Sequence, residues 1–138
     1  MLEKFITAAV YDTFKKQFDI NITQVQSIEV KQKYYTSSID IVFSNTKKTI
    51  LIYSSRDLLA NVANILLFEE NPDEDCLIDL NNEIANLVVG QSKVLASNES
   101  YNYKIATPIF DGLSAVTDST LVFESNMGYL MIGLNDGR

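Results

Sequence analysis

The sequence predicts an α+β domain, an antiparallel β-sheet with long helices packed on it. Two observations carry this. Long amphipathic segments with helical periodicity alternate with short runs that read as strands. The order is also patterned: helix, three strands, a bridging helix, then helix and three strands again. The chain therefore reads as two pseudo-symmetric helix-plus-three-strand halves, although the residues themselves do not repeat. Its 138 residues suit one domain, 1–138, with a core of its own.

Each element has a local reason. Over residues 2–18, Leu2, Phe5, Ile6, Ala9, Val10, Thr13, Phe14 and Phe18 recur at helical spacing and predict a first helix with a core-facing stripe. Three strands are expected at Ile22 to Val30, Ser37 to Phe43 and Thr49 to Tyr53, with a polar turn at 44–48 between the last two. Ser54 or Ser55 can cap a bridging helix, with Asp57 in capping-box register to Ser54, that runs to about Phe68. Asn71-Pro72-Asp73-Glu74 is a strong helix start, with Asn71 as N-cap, Pro72 first in the helix and Glu74 reaching back. That helix should continue to about Ala96, a rod of about 36 Å. Three more strands follow, Tyr101 to Phe110 (broken by Pro108), Thr120 to Glu124 and Tyr129 to Leu134, the last two joined by the hairpin turn Ser125-Asn126-Met127-Gly128. Val122, Met131 and Ile132 in that hairpin are apolar edge residues that could pair between chains.

Composition removes several classes of chemistry. The formal net charge is −7 with no basic stripe, so no nucleic-acid partner is expected, because phosphate binding needs a basic footprint. The chain has no histidine and a single cysteine, Cys76, which reads as a small, partly buried apolar side chain. A Ser-His-Asp triad, an intrachain disulfide and most zinc sites are excluded. The N-terminal residues lack a long apolar run, and no segment approaches the ~20 apolar residues that span a bilayer. No membrane partner is expected, and the protein should be cytoplasmic.

One motif stands out within the long helix. Asp79, Glu83, Asn86 and Gly90 are spaced by four, three and four. At about 100° per residue, Glu83 lies about 40°, Asn86 about −20° and Gly90 about 20° round from Asp79. The four share a narrow face, while Leu77, Leu80, Ile84, Leu87, Val94 and Leu95 centre about 120° away as a core stripe. Gly90 costs stability in mid-helix, about 1 kcal/mol against alanine, and close approach of another backbone would explain it. A plain solvent face is the competing reading, and Asn81 and Asn82 would then be further surface amides. Asp79 and Glu83 alone make a poor metal site, so no metal and no cofactor of its own is expected.

The pattern Asp79-x3-Glu83-x2-Asn86-x3-Gly90 resembles the motif of the CheC/CheX/FliY family of bacterial chemotaxis phosphatases. The stretch Thr107-Pro108-Ile109-Phe110-Asp111-Gly112 is similar to that family's proline-to-glycine stretch, and the two-halved arrangement is similar to its pseudo-twofold fold. The first helix carries no Glu-x-x-Asn, which places the likeness with the single-site CheX branch. Gln91 stands where asparagine often follows the glycine, and Asn82 where a glycine is common. The resemblance implies hydrolysis of the aspartyl-phosphate of a CheY-type response regulator. It implies Glu83 and Asn86 as catalytic residues, Asn86 orienting the attacking water and Glu83 pairing with the receiver's lysine. It implies partner binding by Asp79 and Gly90, Mg²⁺ held by the receiver, and a homodimer. Two alternatives stay open: a receiver-binding adaptor or flagellar-switch-type domain of the same fold that does not catalyse, and an unrelated α+β ligand-binding domain, which would need an enclosed apolar pocket.

Overall fold

A computed structural model describes residues 1–28, 32–116 and 121–136 of the chain. In chain order the elements are α1 (Leu2–Thr13), a π-helical turn (Phe14–Phe18), β1 (Thr23–Val25), β2 (Tyr34–Phe43), β3 (Thr46–Ser54), α2 (Arg56–Leu67), α3 (Glu74–Asn98), β4 (Lys104–Ile105), β5 (Ile109–Ser114), β6 (Leu121–Ser125) and β7 (Gly128–Asp136). The strands form one seven-stranded sheet in the order β1-β6-β7-β3-β2-β4, with β5 also paired to β2. Each of these pairings is antiparallel.

The expected two-halved α+β architecture is present. The centre of the sheet is the β3–β7 pair, one strand from each half. Outside it stand β2 and β6, each paired in turn with a short strand of the opposite half: β6 with β1, and β2 with β4 and β5. The halves thus exchange their edge strands about the β3–β7 seam.

Alternation along the strands builds two apolar layers. On the helical face, Ile39, Ile50, Ile52, Leu130 and Ile132 join Phe5, Ile6, Val10 and Phe14 of the first helical segment, Leu58, Leu59 and Val62 of α2, and Leu77, Ile84 and Val88 of α3 in one buried core. Burying each such aliphatic side chain stabilises by about 1.5–3 kcal/mol. On the other face, Tyr34, Leu51, Tyr53 and Met131 form a smaller cluster, with Ile28 and Val116 packed against it.

Several local expectations change. The first helix passes into a π turn at Phe14, whose ring packs edge-on against Phe18 at 5.1 Å, and Asp19 ends it in the left-handed conformation. The first strand is short, Thr23–Val25, and its expected end at 29–30 lies outside the described residues, as do Thr120 and the tail residues 137–138. The second strand begins earlier, at Tyr34. Ser55, not Ser54, caps α2, its hydroxyl accepting from Leu58 N at 3.3 Å and from Tyr129 N at 3.0 Å. Ser54 is committed to β3, opposite Leu130.

The long helix starts two residues later than expected. Asp73 is its N-cap and accepts from Cys76 N at 2.9 Å. Glu74 does not reach back to cap, because it has a tertiary partnership. Its carboxylate accepts from Tyr35 Oη at 2.7 Å and from Arg56 Nη1 at 2.8 Å. This tie joins β2, α2 and the first residue of α3. The hydrogen bond from Tyr35, then that from Arg56, holds the Glu74 carboxyl below its ordinary pKa. Burial above all pushes the Tyr35 phenol up.

The strand expected to be broken at Pro108 is two strands, β4 and β5, with the proline between them. Asp111 is bulged out of the β2 pairing, since Ser37 faces Phe110 and Thr36 faces Gly112, which takes φ +105°. The β6–β7 hairpin forms as expected, and Gly128 at φ +141° lets the turn lie against α2. A Cβ there would come within 2.6 Å of Leu58 N. Among the described residues, however, that hairpin offers no edge to another chain. β6 is covered by β1 and β7 by β3, and Met131 and Ile132 are buried. The edges of the sheet are β1 on one side and β4 and β5 on the other.

Candidate functional site

The candidate face is set by how α3 is rotated on the sheet. Leu77, Leu80, Asn81, Ile84, Ala85, Val88, Val89, Ser92 and Ala96 are its buried residues. Asp79, Glu83 and Asn86 are consequently exposed, and Gly90 is half-buried on the same outer side. The core stripe is shifted from the one expected: Leu87 is half-buried, and Val94 is 54% exposed.

The shift follows from Asn81, which is wholly buried and not a surface amide. Its Nδ2 donates to Ser37 Oγ at 2.8 Å and lies 3.3 Å from Tyr35 O and 3.5 Å from Ile52 O. Ser37 in turn donates to Oδ1 of the half-buried Asn82 at 2.7 Å. Two amides of α3 are thus anchored through one hydroxyl of β2. A buried amide held in this way resists rotation of the helix, because turning it would strand the polar groups without water. The residue after these two amides is Glu83.

Asn86 and Gly90 lie in a groove of about 250 Å³ between α3 and the first helical segment. One wall is Asn86, Leu87, Gly90, Gln91 and Val94, and the other is Asp12, Thr13, Lys16 and Gln17. The two helices run antiparallel, as the Lys4–Glu99 ion pair (2.9 Å) and the Gln91 Nε2 to Asp12 Oδ2 hydrogen bond (3.3 Å) show. Gln91 therefore has a use inside the chain, tying α3 to α1, and Asn82 has one in the Ser37 anchor. A Cβ on Gly90 would meet no heavy atom within 4 Å, so the chain's own packing does not demand glycine there.

The structure brings Asn86 and Gly90 into one groove and leaves Asp79 and Glu83 on the open face beside it. Asp12, Lys16 and Gln17 are the residues sequence reasoning missed. Their signal was weak: an i,i+4 Asp–Lys pair on the polar side of the first helix. Cys76, one turn before Asp79, is half-buried. Its thiol is pushed up by burial first and then by Asp73, Glu69 and Asp79. Among the described residues, no three His, Cys, Asp or Glu side chains gather as metal ligands, and no helix is long and apolar enough to cross a membrane. A larger cleft of about 390 Å³ lies at the other end of α1, where Phe43 and Tyr101 stack at 4.3 Å beside Met1, Leu2 and Glu3.

This architecture is that of the CheX and CheC-like chemotaxis proteins. Chemotaxis protein CheX from Vibrio vulnificus superposes with a TM-score of 0.83 at 18% identity, over 98% of this chain and 95% of that one. A CheC-like superfamily protein from Shewanella sp. PV-4 gives 0.80 at 22% identity, over 99% and 97%. A chain of the CheX–CheY–BeF₃–Mg²⁺ complex from Borrelia burgdorferi gives 0.71 at 13% identity, over 100% and 99%. No protein-family model matches the sequence, and no curated protein sequence does.

Proposed function

We propose that this protein is a cytoplasmic phosphatase that hydrolyses the aspartyl-phosphate of a CheY-type response regulator. The observation that carries the reading is the exposure of Asp79, Glu83 and Asn86 along one face of α3, with Gly90 beside them, in a fold shared with CheX proteins, one of them solved with CheY. Half the chemistry would reside on the partner. The receiver contributes the phosphorylated aspartate, a lysine and its Mg²⁺, which offsets charge on the phosphoryl oxygens.

This chain's contribution is positional. Phosphoryl transfer needs an in-line water more than a strong base. The Asn86 carboxamide can accept a hydrogen bond from that water and donate another to a phosphoryl oxygen without changing protonation. The water oxygen bonds to phosphorus as the bond to the aspartyl oxygen breaks. The products are inorganic phosphate and the free carboxylate, and the water's proton leaves with phosphate or to solvent. Glu83, one turn before Asn86 on the same face, pairs with the receiver's lysine and fixes the register of the helix. Asp79 adds charge or a hydrogen bond at the docking edge. Gly90 leaves room for a receiver loop.

Phosphate release from a phosphorylated CheY-type receiver tests the reading. Asn86→Ala should all but abolish stimulated release while binding survives, and Glu83→Ala should weaken both. Release unaffected in both variants would refute the proposal. Stable binding of wild-type protein with an unaltered phosphate half-life would instead assign the non-catalytic adaptor role.

A further inference from the structure

The end of α2 carries an apolar tip that folding does not explain. Ile65 and Leu66 are each 37% exposed, Leu67 is 55% and Phe68 is 89%. Phe68 also holds φ 54° and ψ 30°, a left-handed conformation that suits glycine or asparagine and strains a bulky side chain. Its amide donates to Asn64 O at 3.1 Å, and Glu69 N to Ala63 O at 3.4 Å. Helix closure thus uses the backbone of Phe68 and makes little use of its ring. An exposed aromatic kept in a strained conformation points to a role outside the chain.

The tip leads into α3, the helix that carries the candidate face. Five residues separate Phe68 from Glu74, the first residue of that helix. Glu69, beside Phe68, and Asp79, the first residue of the polar stripe, both act on the Cys76 thiol. The surroundings are acidic and exposed: Glu69, Glu70, Asp73, Asp75 and Asp79. A second copy meeting this surface about a twofold axis would bring like charges together, on a chain of net charge −7. Charge complementarity favours a partner that offers an apolar recess with a basic rim.

We propose that Leu67 and Phe68 are a second docking point for the same response regulator, seated in an apolar recess that lysines or arginines rim. The proposal rests on the receiver-binding reading above. Phe68→Asn tests it, since asparagine accepts the left-handed backbone and removes the ring. With the full chain and a CheY-type receiver loaded with BeF₃⁻ and Mg²⁺, Phe68→Asn should weaken binding about tenfold or more. KM for the phosphorylated receiver should rise in step, kcat should hold, and the thermal midpoint should stay level or increase. Unaltered binding by Phe68→Asn, with Asn86→Ala still inactive, would overturn this proposal and leave the phosphatase reading intact. Asn86→Ala and Glu83→Ala variants that both bind and dephosphorylate the receiver as wild type does would overturn the reading beneath it. Loss of a homodimer in Phe68→Asn, seen by sedimentation without a change in receiver affinity, would give the tip to a second copy and also overturn the proposal.

Discussion

Gly90→Ala separates a glycine kept for folding from one kept for a partner. Gly90 lies inside α3, and a Cβ built on it meets nothing within 4 Å. The substitution therefore adds no clash and leaves only the backbone term, in which alanine is favoured over mid-helix glycine by about 1 kcal/mol. In a chain of this length that raises the thermal midpoint by about 3–5 °C. The new methyl group would stand in the groove beside Asn86, where the receiver is proposed to approach. Thermal and urea unfolding should show the gain in stability, and stimulated phosphate release should fall in the same protein. A loss of stability would refute the packing argument. A gain in stability with release unaltered would refute the clearance role of Gly90.

Ser37→Ala should destabilise the fold by about 1–3 kcal/mol in urea unfolding, because it takes the shortest acceptor from Asn81 Nδ2 and the donor from Asn82 Oδ1. A change within a few tenths of a kcal/mol would show that the anchor contributes nothing. The Glu74 carboxyl titrates below its unfolded value, so its pairing stabilises above the ordinary value of 4.5 and is lost as pH falls through the lowered one. Glu74→Gln should accordingly melt below wild type at neutral pH, with the difference closing under acid. A difference that persists below the carboxylate range would show that packing, not the charged tie, is what the substitution removes.

What the sequence disclosed depended on whether the deciding interaction was local. α2, the β6–β7 hairpin and the extent of α3 follow from periodicity, capping and turn residues within a few positions, and all are found close to where they were expected. The start of α3 was misplaced because two capping patterns overlap there. Glu74 could serve one of them only if it were not already held by Tyr35 and Arg56, which are remote in sequence. The competing solvent-face reading makes Asn81 a surface amide because nothing local marks a buried amide, and its justification, Ser37, is 44 residues away. The apolar residues alone place the expected core stripe too far toward Leu87 and Val94, the latter more than half exposed. The outward stripe of Asp79, Glu83 and Asn86 survived that error. Carboxylates and amides with no buried partner seek water whichever apolar residues complete the other face.

The groove could not be seen in α3 alone, because it arises from the relation between the halves. Exchange of edge strands about the β3–β7 seam places the two halves' helices side by side and antiparallel. In a perfect repeat each helix would present the same stripe to its neighbour's flank. Here only α3 carries Glu-x-x-Asn, and the corresponding segment of the first half presents Asp12, Lys16 and Gln17. One half thus supplies the stripe and the other a wall beside it. The widened π turn carries Lys16 and Gln17, while Phe14 and Phe18 from the same turn are buried in the core. The wall is therefore as firmly placed as the stripe. A receiver approaching Asn86 would meet a fixed, asymmetric cleft, which limits the ways it can be seated.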